Sequence, residues 1–188
     1  MACGDILQLR PFEIAGALLI ELQRHEDERG FFARAFCERE FADAGVGVRM
    51  VQTNISWNRR RGTVRGMHFQ KAPSEESKLV RCIRGRILDV LIDLRPKSST
   101  YLRHSAVELD AESRRAVFIP HGVAHGFQTL VDDTEVLYQM SDYFNPELSA
   151  GVRWNDSYFG IRWPVNEVII HPRDNSYPDF DPETVVLD

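Results

Sequence analysis

The sequence predicts an all-β fold, a sandwich or barrel of short strands, and three observations predict it. From residue 48 onward, runs rich in Val, Ile, Phe and Thr recur at intervals of about ten residues, with turn-forming residues between them. Within several of these runs apolar and polar residues alternate, which is the period of a half-buried strand. Only residues 38–44 read as a convincing helix, a short one with Phe41 on an otherwise polar surface and Gly45 placed to end it.

Taken in order, residues 16–22 form a short apolar run before the polar turn H-E-D-E-R-G at 25–30, and residues 31–36 read as a strand enriched in aromatic side chains. Further strands are expected at 48–57, 63–69, 78–83, 86–94, 104–108, 115–119, 126–130 and 134–140. In the 86–94 segment, Val90, Ile92 and Leu94 share one face while Asp89, Leu91 and Asp93 share the other. After Tyr143 the chain turns rich in Pro, Asn, Asp and Gly, an irregular tail that Trp154, Phe159, Ile161 and Trp163 would anchor around the barrel. With no internal repeat, low-complexity segment or linker, residues 1–188 read as one domain large enough for a sizeable core.

Composition narrows the function classes. Hydrophobic residues make up 43% and charged residues 27%, ordinary for a globular protein, and the net charge of -5 argues against coating nucleic acid or an anionic membrane. Cys3, Cys37 and Cys82 form no C-x-x-C pair, so neither a disulfide framework nor a zinc site is expected. No apolar run approaches the roughly 20 residues of a membrane span, and residues 1–10 lack the pattern of a signal peptide. A cytoplasmic location follows as the expectation.

Chemistry concentrates between residues 52 and 84. One expected strand carries Gln52 and Asn54, the next Arg65 and His68, and a third Lys78 and Arg81. If these strands are neighbours, an imidazole, two or three cations and two amides face one side of a sheet. A titratable base among fixed cations suits proton abstraction from an anionic substrate, because the cations hold the anion and stabilise new negative charge. A lone strand histidine between Met67 and Phe69 would ordinarily be structural; the surrounding cations argue otherwise. Arg59, Arg60 and Arg61 read as a solvated loop, Tyr138 and Tyr143 as aromatic packing, and Asp174 as a surface turn residue. His121 and His125 lie in P-H-G-V-A-H-G-F, which contains the P-x-G-x-x-H pattern of cupin barrels, where the last histidine enters the barrel mouth. The matching segment G-M-H-F-Q at 66–70 has Gln70 where metal-binding cupins place a second histidine. Three or four convergent N or O ligands cannot be assembled, so no metal site is expected.

Eight segments together resemble one family: D-E-R-G-F-F at 27–32, Q-T-N-I-S at 52–56, V-R-G-M-H-F-Q at 64–70, K-L-V-R at 78–81, D-L-R at 93–95, I-P-x-G-x-A-H-G-F at 119–127, Y-x-x-x-D-Y at 138–143 and W-N-D at 154–156. In this order they resemble the dTDP-4-dehydrorhamnose 3,5-epimerases. The resemblance implies a cupin-type double-stranded β-helix (jelly-roll) barrel, a homodimer sharing N-terminal strands, a nucleotide-diphosphate sugar as substrate, and no cofactor or metal. It makes His68 the catalytic base, Asp174 its orienting carboxylate and Tyr138 the acid on the opposite sugar face. Lys78 and Arg65 would lie beside the developing enolate and the sugar ring, with His125 lining the same pocket. Arg29, Gln52, Asn54 and Arg173 fall at substrate-binding positions, Arg29 reaching a neighbouring subunit's pocket. The chemistry is consistent: a 4-keto group acidifies C3–H and C5–H, and an electrostatically stabilised enolate can be reprotonated from the other face.

Two departures from the family pattern concern the nucleotide. Arg34 and Ser149 or Ala150 stand where glutamates are common. Arginine only donates hydrogen bonds, so it suits an acceptor edge such as that of cytosine better than the N3–H of thymine. Alternatives to a 3,5-epimerase are an epimerase acting at one carbon or on a CDP- or GDP-sugar, a metal-dependent cupin oxygenase or isomerase, and a non-catalytic sugar-binding cupin.

Overall fold

Two six-stranded sheets, each combining sequence-consecutive and distant strands, enclose the main core in the computed structural model, which describes residues 7–182. The elements are β1 (Gln8–Pro11), β2 (Leu18–Glu21), β3 (His25–Asp27), β4 (Gly30–Phe32), α1 (Glu38–Asp43), β5 (Gln52–Asn58), β6 (Thr63–Gln70), β7 (Lys78–Arg84) and β8 (Arg86–Asp93). There follow β9 (His104–Asp110), β10 (Ala116–Ile119), β11 (Val123–Thr129), β12 (Thr134–Met140), β13 (Ser149–Gly151), β14 (Ile169–Ile170) and α2 (Pro172–Asn175). One sheet runs β1-β2-β10-β7-β12-β5; the other runs β13-β6-β11-β8-β9, with β14 added in parallel to β6. The result is a cupin-type jelly-roll barrel. Cys3, and most of the stretch read for a signal peptide, lie outside the described residues. Among the described residues no helix is long and apolar enough to cross a membrane.

Alternation along the strands decides what each face covers. Val80, Cys82, Val117, Ile119 and Val136 from one sheet meet Ile87, Leu91 and Phe127 from the other inside the barrel. On the outside of the second sheet, Val90, Ile92 and Leu94 join Met67 and Phe69, and the C-terminal tail covers them with Phe159, Ile161, Trp163 and Phe180. The face assignment expected for residues 86–94 is therefore correct. Buried Gln128 fastens the tail: its amide donates to the Val165 carbonyl at 2.8 Å and accepts from the Val165 N–H at 2.9 Å. Because both sheet faces are covered, β10 and β11 are buried at every position.

Helix α1 covers the outside of the first sheet. Phe41 is fully buried against Phe36 and Phe118, with ring centroids 5.1 and 5.8 Å away. Gly45, at φ +83°, ends the helix as expected, with Gly45 N–H donating to Ala42 and Val46 N–H to Phe41, the paired bonds of a Schellman turn. Two expectations need correction. Strand character at 31–36 stops at Phe32, and Ala35 instead offers its carbonyl to Arg81. The strand expected from residue 48 begins only at Gln52, because Val48 packs into the core beneath α1. Strand β1 escapes sequence detection: four residues, Q-L-R-P, mostly exposed, carry no alternation to find.

Candidate active site

Strict alternation cannot put Arg65 and His68 on one face, since they are an odd number of residues apart. A bulge resolves this. Across β6 and β11, His125 pairs with His68 but Phe127 pairs with Arg65, so Gly126 alone opposes Gly66 and Met67. The two glycines are required by how closely the backbones approach. A Cβ on Gly66, at φ +130°, would lie 2.4 Å from Gly126 Cα, and one on Gly126 would lie 2.6 Å from Met67 Sδ. The extra residue turns His68 and Arg65 together toward a cavity of about 420 Å³, which His125 and Phe127 also line.

The tail supplies the remaining carboxylate. Strand β14 adds to the edge of β6 with Ile169 opposite Thr63 and Ile170 opposite Val64, and α2 follows at once. His171 caps α2, its ring nitrogen accepting from Arg173 N–H at 3.2 Å. This turn delivers Asp174 to His68, with Nε2 to Oδ1 at 2.8 Å. Burial pushes the Asp174 carboxyl up. The hydrogen bond and charge of His68, the Gly66 N–H and Arg173 outweigh that and hold it below its ordinary value. Asp174 is thus an ionised partner to an imidazole that is only partly exposed.

The first sheet forms the opposite wall. Lys78 of β7 and Tyr138 of β12 line the cavity, the Tyr138 ring resting on the barrel core. Lys78 Nζ lies 2.9 Å from Glu76 Oε2, an ion pair that the sequence reading missed. His125 has a carboxylate partner of its own: Nε2 lies 2.7 Å from Oδ2 of Asp89, which is fully buried on the inward face of β8. Burial drives the Asp89 carboxyl above its ordinary value, with His125 opposing that shift. Exposure grades the site. Lys78 and His125 are mostly shielded, whereas Arg65, Arg173 and His171 stand at the exposed mouth. Arg65 is held there by Asn58, whose buried side-chain oxygen accepts from Nε at 2.7 Å.

Of the residues expected at the site, His68, Tyr138, Asp174, Arg65, Lys78, His125 and Arg173 line this one cavity, while Arg29, Gln52 and Asn54 do not. Arg29 sits on the exposed β3–β4 hairpin, paired with Asp27 at 2.5 Å. Asn54 stands across from Tyr138 in the register of β5 and β12, and Gln52 accepts from Phe144 N–H at 3.2 Å. Arg81, expected on the same side as Lys78, points to the other face of β7 and donates to the carbonyls of Ala35 and Arg114. Burial there, with Arg114 adding to it, lowers its guanidinium to about 10. Arg34 pairs with Glu40 of α1, and Ser149 pairs with Gln70 in β13, so neither reaches the cavity. Gln70 is itself committed, accepting from Asn145 N–H at 2.7 Å and donating to Ser74 and Tyr143. Among the described residues no three His, Cys, Asp or Glu side chains gather as a metal-binding group.

The sequence model of the family described as dTDP-4-dehydrorhamnose 3,5-epimerase matches residues 11–182. A dTDP-4-dehydrorhamnose 3,5-epimerase from Methanothermobacter thermautotrophicus is 42% identical over 175 residues, covering 92% of this chain and 94% of that protein. A dTDP-4-dehydrorhamnose 3-epimerase from Streptomyces niveus is 37% identical over 169 residues, covering 89% of this chain and 81% of that protein. The crystal structure of the 3,5-epimerase from Bacillus anthracis with TDP and PPi bound superposes with a TM-score of 0.89 at 36% identity, covering 93% of this chain and 99% of that one. The chain belongs to the dTDP-4-dehydrorhamnose 3,5-epimerase family.

Proposed function

We propose that this protein epimerises C3 and C5 of a dTDP-linked 4-keto-6-deoxyhexose in deoxysugar biosynthesis. The observation that carries the reading is the His68–Asp174 pair, at 2.8 Å, lining the same cavity as Tyr138 from the opposite sheet. His68 removes the proton next to the ketone through Nδ1, while Asp174 holds Nε2 and stabilises the imidazolium. Lys78 and His125 stabilise the enolate oxygen at the shielded end, and Tyr138 returns a proton to the other face of the ring. Arg65 and Arg173, exposed at the mouth, take the diphosphate, for which guanidinium forks are suited.

Thymine is the base we assign. The related structure from Bacillus anthracis holds TDP, and Arg34 is ion-paired with Glu40, which occupies the guanidinium that suggested a cytosine-type acceptor edge. A homodimer accounts for the β3–β4 hairpin, whose Arg29, Phe31 and Phe32 are exposed and do not line the protein's own cavity. Arg29 then serves the partner's site. The free thiols of Cys37 and Cys82 suit a reducing cytosol.

Incubation with dTDP-4-keto-6-deoxyglucose in D₂O, followed by NMR, tests the reading. Deuterium enters at C3 and C5 with inversion at both; absence of exchange at either carbon refutes it. The relative from Streptomyces niveus favours a second reading, inversion at C3 alone, and the same spectrum distinguishes the two.

A further inference from the structure

The side of His68 turned toward β13 is closed by a ring from outside the sheet. Gly151 pairs directly with His68 across β13 and β6, so a side chain at 151 would stand on the same face, beside the imidazole. Gly151 has none, and the ring of Tyr177 fills the place: a Cβ built on Gly151 would lie 2.3 Å from Cζ and 2.4 Å from Cε2 of that ring. Tyr177 meets His68 edge to face, with centroids 6.4 Å apart and planes at 67°. On the other flank His68 faces His125, its partner across β11. The imidazole is therefore bounded on both sides within the sheet, by a strand neighbour on one and by a tail aromatic on the other.

We propose that Tyr177 is a positioning residue for the base: its ring, seated in the slot left by Gly151, restricts rotation of the His68 imidazole and keeps water from competing for the His68–Asp174 hydrogen bond. The torsion that orients a histidine ring is soft, so its angle is set by what surrounds it. The carboxylate alone fixes one nitrogen, while a wall on the open flank fixes the plane. Tyr177 also sits three residues after Asp174, so the same tail segment delivers both the carboxylate and the wall. Tyr177 does not line the cavity that Lys78 and Tyr138 share, so the role assigned to its ring is steric rather than acid–base.

Two measurements on the full chain test this, and only the kinetic one rests on the epimerase reading. In ligand-free protein with ¹⁵N-labelled histidine, His68 should show one fixed tautomer in the wild type and in Tyr177→Phe, and averaging tautomers in Tyr177→Ala. With dTDP-4-keto-6-deoxyglucose, Tyr177→Ala should lose about 10- to 100-fold in kcat, the range for outer-shell partners, with KM within about two-fold, and Tyr177→Phe should restore kcat. Should Tyr177→Ala melt far below wild type, Tyr177→Val, whose side chain is too short to fill the slot left by Gly151, carries the same expectations. A fixed tautomer and unchanged kcat in the truncated variant overturn the proposal. So does equal damage in Tyr177→Phe, which would give the role to the hydroxyl. A wild type that neither exchanges nor epimerises the sugar refutes the epimerase reading, and the tautomer measurement then decides the role of Tyr177 by itself.

Discussion

Asp174→Asn removes a charge from beside the proposed base at nearly constant volume, and its effect can be worked from the structure. Oδ1 meets His68 Nε2 at 2.8 Å, placing the centres of carboxylate and imidazolium about 4 Å apart when the base holds its proton. At an effective dielectric of about 20, unit charges at that separation attract by about 4 kcal/mol. The His68 side chain is 31% exposed, and solvent screening at that exposure leaves about half. The remaining 2 kcal/mol or so corresponds to a loss of about 30-fold in the proton-transfer step. The variant amide can still accept from Gly66 N–H, so the melting temperature should move by no more than a few degrees. Initial rates of epimerisation, with melts alongside, make the comparison. His68→Ala combined with Asp174→Asn should be no slower than His68→Ala alone, because the carboxylate acts through the imidazole. A single variant within about three-fold of wild type would refute the assignment, since the carboxylate would then contribute less than 1 kcal/mol or so.

Tyr138→Phe should cut epimerisation by about 10²-fold or more while His68 continues to exchange the substrate proton, a separation visible by NMR in D₂O. For Asp93, burial pushes the carboxyl up, but donors from Arg95, Ser98 and Thr100 outweigh it and hold the group below its ordinary value. A depressed carboxylate stabilises the fold above its unfolded value of about 3.9, and that contribution is lost as the pH falls through the lower folded value. Asp93→Asn should therefore lower the melting temperature at pH 7 and weaken its acid dependence below about pH 4, as circular dichroism melts will show. Phe41→Ala should cost about 3–5 kcal/mol in urea denaturation, because the ring is fully buried between Phe36 and Phe118.

Much of the barrel was legible because strand alternation is local. Residues 134–140 are a strand as expected, Val90, Ile92 and Leu94 share the face assigned to them, and Gly45 ends α1. Short elements were not legible: β13 and β14 are three and two residues long, too few for a period to register. The site was legible in part. His68, Lys78 and Arg65 stood out by residue type, whereas Asp174 read as a surface turn residue until the family resemblance singled it out. Asp89 was placed on the correct face of its strand without being recognised as the partner of His125, 36 residues away. Arg81 was grouped with Lys78, although three residues of unbroken alternation put them on opposite faces.

The amino-acid sequence by itself determined where the longer strands form, which of their faces are apolar, and that an imidazole and several cations lie close together in the chain. Only the tertiary structure decided their directions. The bulge at Gly66 and Gly126 turns Arg65 and His68 to the same side, and β14 carries Asp174 across 106 residues to the imidazole. The physical reason is one of range. Alternation is set by each residue's own backbone, but a bulge and a distant hydrogen bond exist only once two strands have met in a particular register.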